Sequence, residues 1–368
     1  MEHMTIELRQ RIQSCNVFIL LDKSSDNQHI QLRLRNTSIL VNISNLKFNI
    51  DLPNITIIPE TLSSLNVAGT WITFRVQTKP SDSTFGTLKT EFLTIDSNDN
   101  KTILKYNKPL KCTKIIIACQ CCKNVLTKSD IEFKRILPLP SDDCDPCEWF
   151  CGCNHSHNND DKIDLSNVKM LLAPREHDYL YGSHYCLLSN KIFLDKMKYN
   201  EQDVVCNRCL SVLGVQSPDI PNSIKFWNHS LEYLSSTDND YNIKTTPIDD
   251  FKSALISCIN NEYKQIIFIA NEHNNKSILF VKLLEKNLTI LIEESTRNIL
   301  KNIQAIKIMY KHDNIEMKNI DNKNSNDIIT CKISLKSFNA AIEHLISTSC
   351  RIPPIYRLLD DYHIGYVI

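Results

Sequence analysis

The sequence predicts an α+β chain with a β-rich N-terminal half, a zinc-pinned central region and a C-terminal unit of mixed helices and strands. β-branched or alternating apolar runs dominate the first 110 residues, two matching cysteine hooks occupy the middle, and helical apolar periodicity appears after residue 245. A chain of 368 residues with 42% apolar content is long enough for two or three domains. We expect them at 1–110, 111–230 and 245–368.

The charge balance argues against several classes of partner. Lys and Arg together number 42, and so do Asp and Glu, which gives a formal net charge of zero. This balance does not indicate binding to nucleic acid or to a membrane surface, so a protein partner is favoured. Residues 1–9 contain no apolar signal core, and no stretch approaches the ~20 apolar residues of a membrane helix. We therefore expect a reducing compartment, the cytoplasm and nucleus, in which the 15 cysteines are free or metal-bound.

The N-terminal region is predicted to be a β-sandwich or a barrel-like half. Its turns must depend on Asn, Asp, Ser and Pro, as at 96–100, because the chain has only six glycines. No catalytic constellation is visible before residue 110. The predicted strands are 16–21, 30–34, 38–43, 70–76 and 102–106.

The central region contains two Cys-x-x-Cys hooks with matching flanks. Each hook follows a β-branched run and continues Cys-x-x-Cys-x-x-Val-Leu, which makes an internal near-repeat. Two such turns at strand ends can place four thiolates about 2.3 Å from one ion and complete a tetrahedron. The pattern predicts one structural zinc held by Cys119, Cys122, Cys206 and Cys209, with no open position for a substrate.

Other interpretations of the cysteines stay open. A redox Cys-x-x-Cys needs one low-pKa thiol near a helix N-terminus, and neither hook visibly opens a helix. A single hook could also arise by chance. The stretch 144–157 could form a second zinc site or donate to the first, although one short loop closes a tetrahedron with strain, and its alternative is a polar solvent-facing loop. Its candidate ligands are Cys144, Cys147, Cys151, Cys153, His155 and His157.

The C-terminal region is predicted to mix helices with strands. Thr246 and Pro247 make a good helix start, with a hydroxyl N-cap and Pro at the first position. Strands are expected at 265–270, 277–284 and 288–293, the last two divided by a turn at 285–287, and a final strand at 363–368. A second amphipathic helix precedes the end, with one apolar face formed by Leu335, Phe338, Ile342, Leu345 and Ile346.

Several short motifs follow one another from residue 119 to the C-terminus. They are Cys119-x-x-Cys122, Leu137-Pro-Leu-Pro-Ser141, Trp149 with Cys151, Cys153 and His155, the run 181–188, Cys206-x-x-Cys209 before Leu213-Gly214, and Pro353-x-x-x-Arg357. In this order they resemble the HECT-like family that binds ubiquitin-conjugating enzymes, a group of ubiquitin-protein ligases with fungal relatives. The resemblance runs from about residue 110 to the C-terminus and more loosely to the N-terminus, and the spacing around the Trp and Cys-His element is stretched here by residues 150–154.

The resemblance implies two activities. One is acceptance of ubiquitin from a conjugating enzyme (E2) as a thioester, and the other is binding and stabilising the metallo-β-lactamase-type endonuclease of pre-mRNA cleavage and polyadenylation. Transfer requires an exposed cysteine whose thiolate acts as nucleophile. Cys350, near the end of the chain beside Arg351, is the catalytic candidate by position, its alternative being an inert loop thiol. Cys331 is expected to lie in a strand.

The helix that opens at Thr246 carries the candidate partner-binding residues. Phe251, Leu255 and Cys258 lie at i, i+4 and i+7 and therefore share one face. A cysteine there is most often a small apolar core residue. The resemblance implies an alternative, in which Cys258 reaches the metal centre of the endonuclease and holds that partner inactive. The first interpretation requires this face to be buried, and the second requires it to be exposed.

Overall fold

The computed structural model describes residues 3–9, 12–22, 30–43, 46–53, 55–79, 114–139, 173–200, 202–217, 220–235, 242–261, 265–272, 275–294, 297–315 and 328–368. Strands dominate these residues, beside two α-helices, which confirms the prediction of a β-rich chain. The predicted strand at 102–106, the predicted turn at 96–100 and the cysteine-rich stretch 144–157 lie outside the described residues.

The largest sheet has 13 strands and combines both ends of the chain. The sequence prediction treats 1–110 and 245–368 as separate regions, whereas here they share hydrogen bonds. The N-terminal strands are β1 (His3–Arg9), β2 (Ser14–Leu20), β3 (Ile30–Arg35), β4 (Ser38–Ile43), β5 (Leu46–Asp51), β6 (Ile57–Ala68) and β7 (Trp71–Thr78).

The central region supplies the next eleven strands, which form two smaller sheets. They are β8 (Lys114–Cys119), β9 (Ile131–Glu132), β10 (Arg135–Pro138), β11 (Asp178–Tyr181), β12 (Tyr185–Ser189), β13 (Met197–Asn200), β14 (Asp203–Cys206), β15 (Val212–Gln216), β16 (Ser223–Trp227), β17 (Leu231–Ser235) and β18 (Asn242–Lys244).

The C-terminal strands complete the large sheet. They are β19 (Gln265–Glu272), β20 (Asn275–Glu294), β21 (Arg297–Ile315), β22 (Ile328–Lys332), β23 (Leu358–Leu359) and β24 (Tyr362–Val367). The order of the main path is β3-β4-β5-β21-β20-β1-β2-β7-β6, so the first strand of the chain is internal. Ile6 of β1 lies opposite Val17 of β2 and Leu291 of β20.

The predicted turn at 285–287 is wrong, because β20 continues through it. β21 is nearly as long and pairs with β20 along its length. The register shifts between Leu283 and Glu285 and again between Glu285 and Leu288. Such bulges accommodate extra polar residues without ending the ladder.

A buried carboxylate of β1 joins this strand to two C-terminal strands, β21 and β24. Glu7 of β1 forms an ion pair with Lys307 of β21 and accepts a 2.6 Å hydrogen bond from the Tyr366 hydroxyl of β24. Burial alone would raise the pKa of Glu7, but the Lys307 charge and these hydrogen bonds outweigh it and lower the pKa. Glu7 is therefore a charged, fully paired group between the two ends of the chain.

The two central sheets are arranged around one apolar core. Seven strands follow the order β10-β11-β12-β16-β15-β14-β13, and four follow β18-β17-β8-β9. A 3-10 turn, Asn228–Ser230, leads from β16 into β17 and so from one sheet into the other. At Gly214 in β15, a Cβ atom would lie 2.1 Å from the Lys225 carbonyl oxygen of β16, so only glycine permits this close pairing.

The two helices are α1 (Pro247–Asn260) and α2 (Leu335–Ser349). Thr246 caps α1 in a capping box with Asp249, and Pro247 is the first helical residue, as the sequence predicts. α2 buries Phe338 and Leu345 against the C-terminal strands. Ile346, which the sequence places on the apolar face of this helix, is 53% exposed, because the packed stripe is narrower than the apolar pattern. Neither helix has the length and apolar character to span a membrane.

Candidate functional site

The two cysteine hooks adopt the same backbone conformation. β8 ends at Cys119 and β14 ends at Cys206, and each strand is followed by a tight turn. The Lys123 amide donates to the Cys119 carbonyl at 2.8 Å, and the Leu210 amide donates to the Cys206 carbonyl at 2.9 Å. Lys123 and Leu210 both have left-handed backbones, with φ of 59° and 61°. The sequence near-repeat is thus a structural repeat.

The hooks bring their four sulfurs together. Cys119 Sγ lies 3.7 Å from Cys209 Sγ, and Cys122 Sγ lies 3.7 Å from Cys206 Sγ. All four sulfur atoms lie within 4.8 Å of one another. A tetrahedron with Zn–S bonds of ~2.3 Å has edges of about 3.8 Å, so the spacing fits a metal with four thiolate ligands.

The surroundings favour ionisation of the second hook. Burial raises the pKa of Cys209, but hydrogen bonds from the backbone amide and side chain of Ser211 and from neighbouring cysteines lower it to about 6. The pKa of Cys206 is also lowered, because backbone amides and Asn124 outweigh the effect of burial. Burial raises the pKa of Cys119 to about 12. A cation is therefore needed for all four sulfurs to be thiolates together.

Polar side chains also connect the hooks, and sequence reasoning missed them. Asn124 Nδ2 donates to Cys206 Sγ at 3.6 Å and to Asn207 Oδ1 at 3.3 Å. Lys123 forms an ion pair with Glu232 of β17. Asn207 directly follows the ligand Cys206, and Asn124 lies two positions after Cys122, so their closeness to the ligands in sequence was the available signal. Because hook one follows the four-stranded sheet and hook two the seven-stranded sheet, the cluster fastens the two sheets to each other.

A second polar cluster joins the central region to the helices. His229 Nδ1 lies 2.7 Å from Asp250 Oδ2 of α1, and its Nε2 lies 3.4 Å from Ser334 Oγ, the N-cap of α2. This Ser-His-carboxylate arrangement has the connectivity of a hydrolase triad. All three side chains are buried, however, and the serine oxygen accepts the Ser337 amide at 3.0 Å. The cluster is a structural connection, and the sequence gives no spacing signal for it.

The candidate nucleophile Cys350 is exposed at the C-terminal end of α2. The neighbouring Arg351, which the sequence places beside this thiol, donates a 2.8 Å hydrogen bond to the Glu293 carboxylate of β20. Cys331 is buried in β22, in agreement with its expected strand position. Of the cysteines that the structure describes, Cys350 and Cys121 alone are exposed.

The face of α1 that carries Cys258 is buried. Cys258 is 2% exposed, and Phe251 and Leu255 are fully buried. The Phe251 ring packs 5.1 Å from that of Phe268 in β19. This burial is what the core interpretation requires. Contact of these three side chains with a partner stays a prediction that needs the helix to be uncovered.

Comparison with protein-family models gives a match. A family model described as HECT-like Ubiquitin-conjugating enzyme (E2)-binding matches residues 7–364, nearly the whole chain. No curated protein matches significantly. No solved structure matches either.

Proposed function

We propose that this chain, which belongs to the HECT-like ubiquitin-conjugating enzyme (E2)-binding family, binds an E2 and accepts ubiquitin from it on Cys350 as a ubiquitin-protein ligase. The observation that carries the proposal is the match across residues 7–364, which includes both hooks and the C-terminal thiol. The exposure of Cys350 makes it accessible to a partner of protein size.

The proposed step is a thiol-thioester exchange. The Cys350 thiol first releases its proton to solvent, and the resulting thiolate attacks the carbonyl carbon of the thioester between ubiquitin and the E2 cysteine. A new C–S bond forms, the old one breaks, and the E2 cysteine leaves as a thiolate, so no oxidant or reductant is needed. Cysteine is intrinsically very nucleophilic even when only a few per cent is thiolate at pH 7, and attacking and leaving groups are of the same kind. A dedicated base is therefore not essential.

We also propose that the ion at the four cysteines is zinc and that it is structural. Four soft thiolates in a tetrahedral arrangement are a donor set that zinc prefers. The four sulfurs would fill its coordination positions and leave none for a substrate. The zinc would fix the relative placement of the two central sheets and take no part in ubiquitin transfer.

A thioester trap tests the transfer. The full-length protein is mixed with an E2 charged with ubiquitin, and adducts are separated without reductant. We expect a reducible ubiquitin adduct that Cys350→Ser abolishes and Cys121→Ser preserves, since Cys121 is the other exposed thiol of the described residues. An adduct that survives Cys350→Ser would refute this site. E2 binding is measured separately, so that lost transfer is not confused with lost binding.

A non-catalytic binding protein is the second candidate function. Within the described residues, no histidine or carboxylate hydrogen-bonds to the Cys350 sulfur, and such a base is the usual means of activating a nucleophile. In this case the protein would stabilise the metallo-β-lactamase-type endonuclease of pre-mRNA cleavage and polyadenylation. This function would be supported if the wild-type protein bound the E2 or the endonuclease measurably but formed no ubiquitin adduct.

A further inference from the structure

A groove of about 420 Å³ lies between the large sheet and the segment that follows α2. Its floor comes from β1, β2 and β7, on the face opposite the N-terminal apolar core. Its wall is residues 352–359. The Tyr356 ring in this wall lies 6.2 Å from that of Phe18 in the floor.

The floor contains buried polar atoms without a partner. Thr73 is 4% exposed, and its hydroxyl has no hydrogen bond within the described residues. The Nε atom of Arg9 is also buried and has no hydrogen bond within the described residues. Leaving such a group unpaired is unfavourable, and natural proteins satisfy most of them. Both atoms are covered in the free protein, so a small shift of the floor side chains is needed before a ligand in the groove can bond to them.

The charge of the groove is positive. Arg9, Arg75 and Lys307 line it against a single carboxylate, Glu7. Lys307 is paired with Glu7, and Arg9 Nη2 lies 3.6 Å from the same group. Arg75 donates to the Ser14 hydroxyl at 3.2 Å and has no carboxylate partner among the described residues. An acidic ligand group is thus favoured over a basic one.

The wall presents an unusual density of exposed apolar side chains. Ile355 is 69% exposed, Tyr356 46%, Leu358 55% and Leu359 48%. The segment is nevertheless ordered by internal bonds, since Arg357 Nε and Nη2 donate to the Ile352 carbonyl at 3.2 and 2.9 Å. Apolar side chains held on a preorganised loop are typical of a protein-protein interaction site.

We propose that this groove is the docking surface for the E2, and that it receives a segment in which an acidic residue is flanked by apolar side chains. The proposal rests on the proposed function and adds the surface that performs its binding step. Cys350 lies five positions before Ile355, so their Cα atoms are at most about 18 Å apart. An E2 seated on the wall would therefore be near the exposed thiol.

Binding measurements with paired variants test the apolar wall. The probe is the E2 that binds the wild-type full-length protein most tightly among a panel of purified ubiquitin-conjugating enzymes, followed by calorimetry. The double substitution Ile355→Asp with Leu358→Asp should raise Kd at least ~30-fold, as expected for a hot spot. Ile346→Asp is the control, because Ile346 is 53% exposed on α2 and does not line the groove. It should change Kd less than ~2-fold.

Two further variants test the floor. Thr73→Val removes the unpartnered hydroxyl while keeping the shape; it should leave or improve thermal stability and raise Kd at least ~5-fold. Arg75→Glu should raise Kd at least ~10-fold and weaken the salt dependence of binding. Lys198→Glu, an exposed reversal on β13, is its control and should leave Kd unchanged.

The outcomes separate this proposal from the function on which it rests. If every groove variant binds like the wild type while the thioester adduct still forms, the E2 docks elsewhere and only the groove assignment is overturned. If no E2 in the panel binds the wild type, both proposals fail. If ultracentrifugation shows a wild-type dimer that the wall substitutions dissociate, the occupant is a second copy of the chain and the E2 assignment is overturned.

Discussion

Replacing Cys206 by Ser should unfold the central region, because it removes one ligand of the four-cysteine cluster. The closest cross-link between the hooks spans 84 positions, from Cys122 to Cys206. Treating the metal as a cross-link, the chain-entropy model gives about 4–5 kcal/mol for a closed loop of that length. For a folding unit of the size of the central region, losing this stabilisation lowers Tm by roughly 10–20 °C.

The assay combines metal analysis with thermal unfolding. We expect one zinc per wild-type chain, loss of zinc from Cys206→Ser, and a similar Tm decrease when a chelator strips the wild type. Cys121→Ser is the matched control, since this exposed thiol stands between two ligands and should affect neither zinc nor Tm. A Cys206→Ser protein that keeps its zinc and melts within about 2 °C of the wild type would contradict the cross-link argument.

The other predictions concern groups that the fold covers wholly or in part. Cys258→Ser should lower the unfolding free energy by about 1–3 kcal/mol in urea titration and leave endonuclease binding intact; unchanged stability with lost binding would favour the partner-binding role. Glu7→Gln should lower the unfolding free energy by about 3–5 kcal/mol, because the largely covered Lys307 ammonium would lose its counter-charge; a loss under about 1 kcal/mol in the same titration would show that the ion pair contributes little. Burial, helped by the Lys252 charge, lowers the pKa of His344 to about 4 from 6.5. Between pH 6.5 and 4 the unfolded chain binds a proton at His344 that the folded chain does not bind. The unfolding free energy should therefore fall as pH drops through this range. His344→Gln should reduce this pH dependence when unfolding is measured across the same range.

Local chemistry explains what the sequence could predict. The capping box at Thr246 uses residues three apart, with the Thr246 amide donating to Asp249 Oδ2 at 3.0 Å. The hooks likewise depend on spacing within eight residues, and their repetition made the long-range partnership of Cys119 with Cys209 inferable. Both features could be identified because the residues that specify them are neighbours in the chain.

Long-range pairing explains most of what was missed. Nothing in the composition of β1 indicates that it pairs with β20, because alternating apolar residues fit any open sheet edge. The polar residues around Glu285 resemble a turn, yet the length of β21 keeps them in the ladder. The contact between His229 and Asp250 depends on how the central region packs against α1, and the sequence around either residue does not predict it. The polar floor under residues 352–359 has the same origin.

The internal position of β1 imposes an order on biosynthesis. The Met4 amide bonds to Glu293, 289 positions later, so the first strand has no partner on one side until most of the chain has left the ribosome. At 5–20 residues per second this wait is roughly 15–60 s. During that time β1 and β2 form an apolar hairpin with a free edge, the kind of surface that aggregates or recruits chaperones. Yield of soluble protein should therefore respond to translation speed and chaperone supply more strongly than the stability of the finished fold would suggest.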